Sequence, residues 1–268
     1  MSLQKLSIAT LQKVQGYVRQ SLQLPELEDH PRAEAVSDGL DEIPEPSSLD
    51  GLGDLFRVGS TPDESVSIPN VNGRWFVSTV DAGRALTRLP IQLKAGLRLV
   101  TYLYRTEDVG QGATWAIPEQ LSTTAQLEAA LSAATDADNP PYPDGAMLKV
   151  MSGITGDRSV LSFVTASIVS RELQEFGCTG SRCDWSHHRF IATVPRQRDW
   201  KWRMTPPNDL QPKARLLPDG QAAVEFYTCR VVAPIGIYRH VDQYPAKGYM
   251  AKSKAQPEAT VPVPVPSA

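Results

Sequence analysis

The densest chemistry in the chain lies in the run Cys178-Thr-Gly-Ser-Arg-Cys183-Asp184-Trp185-Ser186-His187-His188. Two of three cysteines and two of four histidines fall within these eleven residues. Thiolates and imidazoles are the ligands zinc prefers. A zinc site here would use Cys178, Cys183 and His187 or His188, with Cys229 arriving from a later strand to close the tetrahedron. The Cys-x4-Cys spacer is wider than the common two-residue spacer, however, and adjacent histidines do not readily share one ion. A second reading is a transient disulfide between Cys178 and Cys183. A third is a thiol nucleophile, Cys183, with His187 as base and Asp184 as orienter, its thiolate favoured by Arg182 or a helix terminus. Catalytic partners meet in space rather than in sequence. The plainer reading, a surface loop anchored by Trp185 with partly buried cysteines, is therefore preferred. No cofactor is expected, zinc being the alternative.

A second constellation is RFIATVPRQRDWKWR, from Arg189 to Arg203, in which five cations face Asp199 alone and are interleaved with Phe190, Trp200 and Trp202. Cations for phosphates beside rings for bases are what a nucleic-acid-binding module needs, and Arg196, Arg198, Trp200 and Arg203 would supply them. Period-two alternation favours a strand instead, with Trp200 and Trp202 inward and Lys201 and Arg203 in water. His240, in an alternating stretch, reads as a strand-surface histidine. Phosphate-loop, dinucleotide-binding, zinc-protease and serine-hydrolase motifs are all absent from the sequence, which lowers the expectation of an enzyme.

These residues need elements to hold them. Ile8, Leu11, Val14, Val18 and Leu22 recur at spacings of three and four, predicting an amphipathic helix over 7–24, capped by Ser7 or Thr10 and stopped by Pro25. Leu11, Val14, Val18 and Leu22 are the expected partner-binding stripe, unless the helix folds back on its own body. Strands are predicted at 74–80, 96–104, 188–194, 199–204, 222–233 and 235–243, and a helix at 119–134. Residues 157–176 carry enough β-branching for a buried strand, but helix is preferred because Arg171 to Phe176 are good helix formers before Gly177.

Charge is unevenly laid out. Residues 1–23 carry three cations and no acid, while 24–64 carry twelve acids against Arg32 and Arg57, so the remainder holds +4 of the net −3. Four segments follow: an N-terminal amphipathic helix (1–24), an acidic Pro/Gly/Ser-rich linker (25–69), a folded body (70–249) and a disordered tail, Lys/Ala-rich and then Pro/Val-rich (250–268). The strand-rich pattern with two inserted helices predicts an α+β fold, a single mainly antiparallel domain with flexible flanks. No run reaches the ~18 apolar residues of a membrane helix. With no signal peptide and an odd cysteine count, cytoplasmic residence is expected. The layout suggests a non-catalytic, adaptor-like interaction protein with a protein partner. A zinc or thiol enzyme centred on Cys178, Cys183, His187 and His188 is the first alternative, and a nucleic-acid binder the second.

Overall fold

The computed structural model describes residues 2–29, 72–196 and 199–261. In chain order its elements are β1 (Ser2–Lys5), α1 (Ile8–Ser21), α2 (Glu26–Asp29), β2 (Trp75–Val77), β3 (Ile91–Leu93), β4 (Leu97–Arg105), β5 (Gly110–Pro118), α3 (Thr124–Leu131), β6 (Ile154–Gly156), α4 (Val160–Gln174), β7 (His188–Ile191), β8 (Lys201–Trp202), β9 (Lys213–Leu216), β10 (Ala222–Arg230), β11 (Gly236–Tyr244) and β12 (Lys252–Thr260). The class is α+β, as the sequence predicts.

A curled antiparallel sheet in the order β1-β9-β10-β11-β12-β8, with β7 on the upper part of β10, wraps α4. That helix is buried on several faces at once: Phe163, Val164, Ala166, Ile168, Val169 and Leu173 are all at most 3% exposed. A helix enclosed this way has no single apolar stripe, which is why periodicity alone could not separate it from a strand. Ser159 caps its start, and Gly177 turns the chain away at φ 83°.

A smaller sheet, β2-β4-β5, lies between two apolar clusters. Leu99 and Ala116 face the main core, while Val100, Tyr102 and Ile117 face Trp75 and the α3 residues Leu127 and Ala130. Both faces of β4 are thus covered, and even Arg105, at its end, is 1% exposed. The Arg105 guanidinium donates to the backbone carbonyls of Glu28 (3.0 Å) and Gly177 (2.7 Å), and its own carbonyl accepts from Gly73 N (2.7 Å).

Three expectations change here. Helix α1, capped by Ser7, is not a tethered recruiting element: Leu11 and Val18 are 0% exposed and Leu22 7%, and they join the α4 core, with Val14 packed against it. An intramolecular surface offers the same stripe a partner at no association cost, so the helix folds back. Residues 25–29 are held rather than linker-like: the buried Glu28 carboxylate accepts from Ser78 Oγ (2.6 Å) and Thr79 N (2.7 Å). The rest of the predicted linker lies outside the described residues. Finally, 252–260 is not tail but strand β12, paired along β11. Its stability comes from backbone pairing that composition does not register; β8 pairs it only at Ala259 and Thr260, so the lysines and Pro257 lie on a stretch that is a sheet edge, where such residues are carried. Residues 262–268 lie outside the described residues. Among those described, no helix is long and apolar enough to cross a membrane.

Candidate functional site

The chain leaving α4 is folded back by one carboxylate. Glu175 accepts backbone N–H groups from Asp184, Trp185 (2.6 Å) and Ser186 (2.5 Å), which sets Trp185 to enter the core. There the indole Nε1 donates to Glu172 (2.7 Å), whose carboxylate also takes Gln15 (2.8 Å) and Arg19 (2.9 Å) from α1. The loop is therefore anchored by Trp185, as the plainer reading holds, and Glu172 ties helix, helix and loop together.

His188 opens β7 and is 4% exposed. Its Nδ1 lies 2.7 Å from Thr228 Oγ1, and the same hydroxyl lies 2.8 Å from His240 Nε2. Register produces this: His188 pairs with Arg230 on β10, and Phe226 with His240 on β11, so Thr228 sits between the rings. His240 is likewise 4% exposed, stacked on Phe226 at 4.9 Å, and its Nδ1 has no partner among the described residues. Burial pushes the His188 pKa down to about 4 and that of His240 to about 3, the latter helped by Arg171 and His188. Both imidazoles are neutral near pH 7. Two residues further along β11, on the same face, Asp242 is fully buried and held by two hydrogen bonds from Arg171 (2.6 and 2.9 Å). Burial pushes that carboxyl up, but the Arg171 hydrogen bonds and charge outweigh it and leave its pKa below the ordinary value.

Two joined basins run along the polar side of α4 and share Ser170, Arg171, Gln174 and Ser253. The first, about 470 Å³, lies between β5 residues Gln111–Trp115 and the 148–151 and 249–251 segments. The second, about 410 Å³, reaches Asp184, His188, Tyr238 and His240. At the mouth of the first, Leu148 is 85% and Met250 45% exposed. Tyr142, 47% exposed, stands edge-on to Trp115 at 4.8 Å.

The residues singled out in the sequence are not assembled into a metal or thiol centre. Cys183 Sγ donates to the Cys178 carbonyl (3.2 Å), and burial raises the pKa of both thiols, the reverse of what a nucleophile or ligand needs. None of the three cysteines forms a disulfide. Cys229 is buried in β10, paired with Arg189 and Ile237. Among the described residues, no three His, Cys, Asp or Glu side chains converge to hold a metal ion. Asp184 turns to Arg230 (3.1 Å) and, at 3.9 Å, to His188 rather than to His187. The basic-aromatic run is also dispersed. Trp200 and Trp202 pack on a small cluster with Leu210, Tyr227, Ile237 and Ala259, while Arg196 and Arg203 are exposed. Arg198 lies outside the described residues.

Sequence reading missed Thr228, Glu172 and the Arg171–Asp242 pair, and it set His240 on the strand surface, whereas His240 faces the core and is buried. The alternation of His240, Asp242 and Tyr244 was available as a signal. The intervening Val241 made the opposite face look like the buried one. No protein family, curated protein or solved structure matches the chain.

Proposed function

We propose that the protein is a non-catalytic interaction protein, adaptor-like in type, whose β-rich body takes a segment of a protein partner into the groove beside α4. The observation that carries this reading is the first basin, where Leu148 and Met250 hold apolar side chains in water on a lining that also includes Ser167, Ser170, Arg171 and Gln174. Exposed apolar groups gathered around a concavity with a few polar groups are the usual marks of a binding surface. Imidazoles too weakly basic for proton transfer near neutrality and thiols held protonated favour binding over chemistry. The N-terminal helix takes no part, because its stripe is already occupied.

The test is the double variant Leu148→Asp/Met250→Asp. A protein co-purifying with the wild type is expected to bind it at least roughly tenfold more weakly, with the melting temperature unchanged. A partner retained at full affinity would remove the groove from the reading.

A further inference from the structure

The outer face of the curled sheet carries an arrangement visible only once the register is known. Successive pairings align Leu3, Arg215, Ala223, Gln243 and Lys252 in one row across β1, β9, β10, β11 and β12. The next row is Lys5, Lys213, Glu225, Val241 and Lys254. Two shallow depressions follow these rows, of about 390 and 330 Å³, and they meet at Arg239 and Val241. Together they are lined by the cations Lys213, Arg215, Arg239, Lys252 and Lys254 and by one acid, Glu225.

Two of the acids nearby are already answered, and a third, Glu258, acts on Arg239. Glu225 is paired with Arg239 at 2.5 Å, and Asp209 takes Lys5 at 2.9 Å and Lys213 at 3.4 Å. Arg215, Lys252 and Lys254 are exposed and have no carboxylate partner among the described residues. With neighbouring strands about 4.8 Å apart, the three span roughly 14 Å between β9 and β12.

We propose that this face binds the phosphate backbone of double-stranded nucleic acid without reading sequence. Charge complementarity selects a polyanion. No aromatic side chain lines the depressions, so the stacking platform that unpaired bases use is missing. Leu3 is the one large apolar side chain exposed along the rows, too little to insert into a lipid surface or to seat the apolar residues of an acidic peptide. A duplex offers dense phosphate charge at fixed spacing and asks for cations only. This surface lies on the opposite side of the sheet from the groove, so it stands or falls independently of the adaptor reading. It also replaces Arg196, Trp200 and Arg203 as the nucleic-acid-binding residues.

The experiment is fluorescence anisotropy of the full chain with a labelled DNA duplex of about 20 base pairs in about 50 mM salt, followed through a salt series. Binding is expected to be indifferent to sequence and to weaken with a log–log salt slope of about −3, for three phosphates neutralised. Lys252→Glu/Lys254→Glu should lower affinity at least tenfold and flatten the slope by about 2, while Arg196→Glu/Arg203→Glu leaves both unchanged. Circular dichroism checks that both variants fold. No duplex binding, an equal loss in the Arg196/Arg203 variant, or tighter binding to the single strand or to vesicles of anionic lipid would overturn the proposal.

Discussion

At the scale of single residues, one hydroxyl fixes the protonation of two rings. Thr228 has a single proton to give, so where one of His188 and His240 accepts it, the other donates its own N–H to the same oxygen. Asp184 beside His188 Nε2 favours a proton on that nitrogen, which leaves His240 Nδ1 with its lone pair. Acid should break this arrangement. In the unfolded chain both histidines take up protons as the pH falls below about 6.5, whereas in the fold they resist until about 4 and about 3. The unfolded state therefore binds more protons in that window, and stability rises with pH across it. Full stability is expected above about pH 6.5, with on the order of 3 kcal/mol lost per histidine as the pH falls to 4. Denaturant midpoints at pH 7 and pH 4.5 check this; His188→Phe/His240→Leu should flatten the difference, and an unchanged slope in that variant would refute the assignment. The sequence made the Cys-His loop conspicuous through density of residue types. It could not show that Asp184 would turn to Arg230, or that burial would silence the thiols, because both depend on strands far along the chain.

At the scale of elements, legibility followed local signals. Helix α1 was readable from its spacing and Pro25, and the end of α4 from Gly177. Strand β12 was not, since Lys252-Ser-Lys-Ala-Gln-Pro-Glu lacks every compositional mark of a strand and exists only through β11. A register shift at Ile237/Tyr238 sets Tyr238 opposite Pro257, where a missing N–H does least harm. What α1 does also lay beyond its own pattern, for an amphipathic stripe does not say whose surface covers it. Leu11→Ala should cost about 2–5 kcal/mol, as for a fully buried leucine, while Lys13→Ala on the exposed side costs little. Urea unfolding measures both. A Leu11→Ala protein of wild-type stability would mean that the stripe is not part of the core.

At the scale of the whole molecule, the α+β class was legible because turn residues and alternation recur through the middle of the chain. The curl of the sheet around α4, the second small sheet and the two basins were not, since they arise from pairings between segments as distant as β1 and β9. One of those long-range contacts has a practical consequence. Arg105 holds the carbonyl of Glu28 with its side chain and the amide of Gly73 with its backbone, so the polypeptide departs and comes home at a single address. The described chain on either side of residues 30–71 thus ends at neighbouring points beside Arg105. A replacement of about six residues has the reach to bridge the gap. Such a shortened protein should melt within a few degrees of the parent and keep its denaturant slope; a collapse in either would reveal that the excised stretch supports the body after all. If the graft holds, the same doorway becomes a place to install a reporter or a second domain without disturbing either face of the sheet.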